Sequence, residues 1–326
     1  MDKGRLPYNM YERCSVKTRR KNTAWTERAH FAGDINRASD LEYNICAFVG
    51  QASAALSEIS IKMGIARAIN AAGAITNVKM VILSAHIPAD MPEESLKEVI
   101  RCADSCCETE NITLALGDIC VTNVAEPLFT FTAIAIEKPI CIVPKAGDSI
   151  IMAGTVGNSG VGALLELKKE ELSGHFSKRF LAGAAKKTED WLIGYIAGIV
   201  GDVDMGDICY RINIMPVAEG GLMAALWDLK SGYNVGFNVD LRAVPILQET
   251  VEICEYLEVN PYRLASDGAM LIYTSEPESI LKACKEKKIP AACIGEITEG
   301  SAGNIKKDDE ISSVSRPEMD EIYKFI

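Results

Sequence analysis

The residues with the clearest capacity for chemistry lie in three short glycine-bearing stretches. In GDSIIMAGTVGNSGVGALLELKKEEL, residues 147–172, an apolar run passes through Gly157, Gly160 and Gly162 into a helical pattern. Backbone N–H groups at such a strand-to-helix turn point one way and attract anions, phosphate above all. The same glycines also suit a tight turn, because glycine takes positive φ without strain. In PVAEGG, Gly220 and Gly221 open a second helix behind Glu219, which can serve as a cap or as a polar residue of a cleft. In LGDICVT, Gly117 and Asp118 follow the apolar run ITLAL, so Asp118 is either a metal ligand or a turn residue.

These stretches need elements to position them. YNICAFVG reads as a short buried strand, SEISIKMGIARAINAAG as a helix with small residues on one side, and VKMVILSAHI as a strand. A helix follows, which Asp90 can cap, with Leu96, Val99, Ile100, Ala103 and Cys107 at helical spacing. Strands around ITLALGDICVT and LFTFTAIAIE close this half. The prolines and glycine of KPICIVPKAGD mark a boundary, giving domains over 1–138, with an N-terminal arm over 1–39, and 139–326. The second half alternates again. SIIMAGTVG, YNVGFNVDL, GAMLIYTS and AACIGEIT read as strands, and VGALLELKKEEL, KTEDWLIGYIAGIV, EGGLMAALWDLK, PILQETVEICEYL and PESILKACKEKK as helices. The polar tail after Thr298 is expected on the surface. The fold class is α+β.

Composition narrows the function. A net charge of −11 argues against a general nucleic-acid surface, and only Lys17–Lys21 is locally basic. No apolar run reaches the roughly 18 residues of a membrane span, and the N-terminus lacks a secretory signal's apolar stretch, so the cytoplasm is the expected compartment. The 11 cysteines form no Cys-x-x-Cys pair, and His30, His86 and His175 are scattered. A zinc centre is therefore not expected, and Cys102, Cys106 and Cys107 read as small core hydrophobes. His86, ending a strand before a proline, reads as structural.

The ordered series PKAGDSIIMAGTVGNSGVGALL, AEGGLMAALWDL, VPILQETVEICEYLEVNPYRLASDGAMLIYTS and IPAACIGEIT resembles the AIR synthase (PurM-like) superfamily, nearest its HypE and AIR-synthase-related members. GRLPYNMYERCSV resembles their opening. The likeness is dense from about 139 to 298 and thinner before it. It implies a two-domain α+β architecture in which the first domain pairs with its twin to build a barrel across a homodimer. It also implies ATP or a phosphorylated ligand in an inter-domain cleft, with Mg²⁺ on first-domain aspartates, for oxygen activation or phosphoryl transfer.

Carried over residue by residue, the resemblance is selective. INAAGAI keeps Asn70, but Ala71 stands where a metal-binding aspartate is usual. LGDICVT keeps Gly117 and Asp118, with Leu116 in place of a glycine. PVAEGG keeps Glu219, Gly220 and Gly221, with Pro216 in place of an aspartate. The strand ICAFVG lacks the family's aspartate, and AGDINRASD echoes its Gly-Asp-Asp element only in part. The resemblance thus implies ligand contacts from Asn70, Gly117, Asp118, Gly157, Gly160, Gly162, Glu219, Gly220 and Gly221, with Asp118 the surviving metal candidate. The Mg²⁺ set is eroded, since that ion needs one or two carboxylates beside the phosphates. Activation of the chain's own C-terminal cysteine is not expected, because no cysteine follows Cys293. Cys14 and Lys17 lack the glycine-rich surroundings of a selenophosphate synthetase site. Two readings stay open: an ATP-dependent enzyme, or a non-catalytic regulatory or scaffold subunit with a protein partner.

Overall fold

The computed structural model describes residues 45–51, 57–71, 78–136, 143–190, 212–317 and 319–326. The basic arm segment and the Cys14–Lys17 pair lie outside them.

The first half builds a four-stranded sheet from β1 (Ile45–Gln51), β2 (Val78–Ile87), β3 (Thr113–Val121) and β4 (Leu128–Ile136), in the order β1-β4-β2-β3. β2 and β3 run parallel through a helical crossover, and β4 lies antiparallel between β1 and β2. Alternation decides the faces. Val81, Leu83, Ala85 and Ile87 point with Phe129, Phe131 and Ala133 toward the helices α1 (Glu58–Ala71) and α2 (Glu93–Thr109). On α2, Val99, Ala103 and Cys107 form the fully buried stripe. Asp90 does not cap this helix: Pro92 is the N-cap residue, with no side-chain hydrogen bond. Glu93 and Glu94 instead place negative charge on the first turn.

The second half is a seven-stranded sheet. Its strands are β5 (Ser149–Ala153), β6 (Ile212–Val217), β7 (Gly236–Asp240), β8 (Ala269–Thr274), β9 (Ala291–Thr298), β10 (Gly303–Lys307) and β11 (Glu310–Ser313), ordered β11-β10-β7-β9-β5-β8-β6. Every residue of β8 is buried, which requires cover on both faces. α6 (Gly221–Tyr233) packs on one face through Leu222, Leu226 and Leu229. α8 (Pro277–Glu286) packs on the other through Ile280 and Cys284, carrying the chain from β8 across β5 to β9.

A third cluster joins the halves. α3 (Asn158–Leu167), α4 (Lys169–His175), α5 (Lys178–Asp190) and α7 (Gln248–Tyr256) gather around Leu164, Leu172, Ala184 and Ile253. Ile59, Met63 and Ala66 of α1 enter the same cluster. The single helix expected over Val161–Leu172 is thus two, separated at Lys168. Of the helix expected over KTEDWLIGYIAGIV, residues 187–190 end α5 and the remainder lies outside the described residues. The tail also differs from expectation: β10 pairs parallel with β7, and Ile322 is buried beside Leu264 in the third cluster. Hydrophobic Ile305, Val314 and Ile322 outweigh the polar average of that segment.

Candidate functional site

The turn into α3 and the turn into α6 meet on one loop, residues 261–268. Gly157 is left-handed at φ 73°, and its N–H donates to Ser266 Oγ at 2.7 Å. The Gly160 N–H donates to the Ala265 carbonyl at 2.9 Å. From the other side, the Ser266 N–H donates to the Ala218 carbonyl at 3.2 Å. Gly220 and Gly221 are both left-handed, at φ 79° and 62°, and a Cβ on Gly221 would stand 2.6 Å from the Leu264 carbonyl oxygen. The structure therefore brings Gly157, Gly160, Glu219, Gly220 and Gly221 to one junction.

A buried charge network completes it. Arg67 on α1 reaches Asp267 with two hydrogen bonds, Nε to Oδ1 at 2.8 Å and Nη2 to Oδ2 at 3.3 Å. Asp267 is also bonded reciprocally with Ser159, whose Oγ donates to Oδ2 at 2.8 Å and accepts from the Asp267 N–H at 2.7 Å. Arg67 Nη1 lies 3.8 Å from Glu219 Oε2. Burial by itself would lower the Arg67 pKa, but Asp267 and Glu219 overcome it and hold the guanidinium above its ordinary value. Helix α1 of the first half is thus tied to the second half beside both glycine turns. Asn70, one turn further along α1, is 4% exposed.

Gly220 has a partner of its own. Its N–H donates to Asp320 Oδ2 at 2.6 Å, while Asp320 Oδ1 accepts from the Ile322 N–H at 2.9 Å. A carboxylate from the C-terminal segment thus occupies the start of α6, where the peptide dipoles favour negative charge. Burial pushes the Asp320 carboxyl up to about 7, against the opposing pull of its two N–H donors. Tyr323 is hydrogen-bonded to Glu219, and burial followed by that carboxylate raises its hydroxyl to about 12.

Residues 214–308 match the family described as AIR synthase related protein, C-terminal domain. The carbamoyl dehydratase HypE of Rhizobium leguminosarum is 29% identical over 128 residues, covering 39% of this chain and 33% of that protein. The same-named protein of Cupriavidus necator is 23% identical over 219 residues, covering 64% of this chain and 58% of that protein. These matches span less than two thirds of either relative. The structure described as a HypE–HypF complex superposes with a TM-score of 0.70 at 16% identity, over 89% of this chain and 96% of that one. A hydrogenase maturation protein HypE in complex with ATP gives 0.68 at 15% identity, over 91% and 92%. The chain is thus similar to AIR synthase-like proteins, over residues 214–308 by the family match and over most of its length by fold. Its likeness to HypE lies in partial sequence matches and in the fold, the solved structures contributing the fold alone.

Within this AIR synthase-like frame, several expectations change. The N–H groups of Gly157, Gly160 and Gly220 are not free donors but are taken by Ser266, Ala265 and Asp320. Gly160 and Gly162 are contact glycines. A Cβ at Gly160 would stand 2.3 Å from Leu264 Cγ, and one at Gly162 would stand 2.4 Å from Thr188 Cγ2. A valine at Gly160 thus disturbs the core before it meets any ligand. Gly117 and Asp118 do not follow the strand but lie inside β3, at a register shift opposite Ser84. There Asp118 is exposed, and its Oδ2 accepts a hydrogen bond from Cys120 Sγ at 3.2 Å. Pro216 lies in β6, an edge strand, where a residue without an N–H is tolerated. Among the described residues no three His, Cys, Asp or Glu side chains gather as a metal centre. No helix among them is long and apolar enough to cross a membrane.

Sequence reasoning missed Arg67, Ser159, Ser266, Asp267 and Asp320. Asp267 alone carried a signal, as the aspartate of SDG ahead of the largely apolar strand AMLIYT. Asp320 makes a pH test possible. With a folded pKa near 7 against an ordinary 3.8, the native state keeps a proton that the unfolded chain releases. This contribution is fully present below pH 3.8 and is lost as pH rises through 7. Asp320→Asn keeps an acceptor for Gly220 and cannot ionise. Urea midpoints between pH 5 and 8 are expected to fall less with pH in the variant than in the parent chain. Parallel slopes would refute the assignment.

Proposed function

We propose that the chain is an ATP-binding protein of the HypE type, which holds its nucleotide at the junction of its two domains and turns over Mg²⁺-ATP poorly. The observation that carries this reading is the convergence of Arg67, Asn70's helix, Glu219 and both glycine turns on the 261–268 loop. An inter-domain position suits a small-molecule site, and the ATP complex of a HypE with the same fold supports the choice of ligand. In this reading Gly157, Gly160 and Gly162 shape the wall by close packing, while Arg67 and Glu219 supply charge. Asn70, Gly117, Asp118, Gly220 and Gly221 are assigned from the resemblance. Mg²⁺ would have Asp118 as its remaining family carboxylate, since Ala71 and Pro216 offer none. Calorimetric titration with ATP and with a non-hydrolysable analogue tests this. Binding of both, changed little by omitting Mg²⁺, is expected, and no binding of either at millimolar concentration would overturn it.

Residues of about 40–136 form the proposed homodimer contact. β1 and β3 are the two edges of their sheet, and Leu116, Val121 and Leu128 are exposed at 57%, 66% and 40%. Such side chains on an open sheet call for cover. Light scattering at micromolar concentration is expected to give twice the chain mass; a monomer refutes the contact. A second reading, a regulatory subunit acting through a protein partner, is favoured by the lost carboxylate positions and by the HypE–HypF complex among the similar structures.

A further inference from the structure

A cavity of about 360 Å³ opens between α1, α3, α4 and α5, on residues that the nucleotide reading leaves unused except Gly162. Its apolar wall is Ile59, Leu165, Leu172, Leu181 and Ala185, with Leu172 fully buried as part of the third core cluster. It exists because of Gly162: with no side chain there, α3 closes on Thr188 of α5 and Ile59 of α1 while leaving the space beside them open. The polar lining is uneven in its pairing. Glu189 is held by Lys62 at 3.3 Å, and Lys62 is shared with Glu58 at 2.7 Å. Lys169 and Lys178, the first residues of α4 and α5, also line the cavity. Among the described residues neither lysine has an ion-pair partner, and Glu166 is the one lining carboxylate outside a salt bridge. Lys178 stands on the first turn of a 13-residue helix, a position whose dipole favours an anion over a cation.

An apolar trough whose rim carries two unpaired lysines against one unpaired carboxylate, Glu166, is complementary to an amphiphile with a negative head. The volume is at the small end of ligand sites, which run from roughly 300 to 1,000 Å³. We propose that this cavity binds a short aliphatic carboxylate, its chain along Leu165, Leu172 and Leu181 and its carboxylate between Lys169 and Lys178. The nucleotide reading shares only Gly162 with this cavity, and none of the variants below changes that residue, so the two sites are tested separately.

Octanoate is the probe, with hexanoate, 1-octanol and octylamine as comparisons, titrated into the full chain by calorimetry. Octanoate should bind more tightly than hexanoate by about fourfold per methylene, and more tightly than the alcohol or the amine. The double variant Lys169→Glu, Lys178→Glu changes exposed side chains and should weaken octanoate by at least about tenfold, the value of a lost charge-assisted contact. Ala185→Trp fills the mouth from an exposed position and should abolish binding, with an unchanged thermal midpoint reporting an intact fold. Absence of octanoate binding at millimolar concentration, preference for octylamine, or binding indifferent to both variants would each overturn the proposal.

Discussion

Arg67→Met is expected to destabilise the chain by about 3–5 kcal/mol, the usual cost of stranding a buried charge by removing its partner. The Asp267 side chain is 0% exposed and that of Arg67 is 14% exposed, so solvent does little to screen the loss. Methionine fills much of the arginine stem's volume, which keeps the packing term small and isolates the charge. Asp267 would retain Ser159, whose hydroxyl and N–H contacts do not neutralise a carboxylate. Glu219 would lose its cation as well. Replacing both partners, Arg67→Met with Asp267→Asn, should recover part of the loss, because neighbouring members of one network couple by about 0.5–3 kcal/mol. Urea unfolding of the four proteins measures this directly. A single-variant loss below about 1 kcal/mol, or strict additivity in the cycle, would show that the pair does not hold the two halves together.

That network also marks where a single sequence stops being informative. Most strands and helices were legible because their own residues carry the signal: VKMVILSAHI is a β-branched apolar run, and Val99, Ala103 and Cys107 recur at helical spacing, whereas β6, β10 and β11 were not read as strands. β8 reads as a continuous apolar run for the same reason that it is buried on both faces. Arg67 and Asp267 are 200 residues apart, and nothing local distinguishes that arginine from a solvated one on a small-residue helix. Asp320 sits in a polar segment whose average suggests surface, while its burial depends on Ile322 and on the α6 turn. The glycines were legible as glycines but not as to purpose. Positive φ at Gly157 and Gly220 serves the turns, whereas Gly160 and Gly162 admit Leu264 and Thr188. Only the facing side chain separates these uses.

Turnover of Mg²⁺-ATP should be slower by at least about two to three orders of magnitude than in relatives with the full aspartate set, the range for loss of one strong charge-stabilising contact. The reason is local at each position. Mg²⁺ keeps several waters but requires one or two carboxylates beside the phosphates. Ala71 brings none from the end of α1. Pro216 brings none from β6, where its missing N–H is accommodated at the sheet edge. Asp118 remains, but it sits on the exposed irregularity of β3 with one oxygen engaged by Cys120. A single exposed carboxylate can attract the ion without fixing it against a γ-phosphate, and positioning is most of what such a reaction asks of a protein. Asp118→Asn should therefore leave the residual rate within about twofold, while Ala71→Asp, which returns a carboxylate beside Asn70, should raise it if any single change does. Phosphate release followed with and without Mg²⁺ distinguishes the cases. Fast, magnesium-dependent turnover abolished by Asp118→Asn would establish that residue as a working ligand and the chain as an enzyme of the family's usual type.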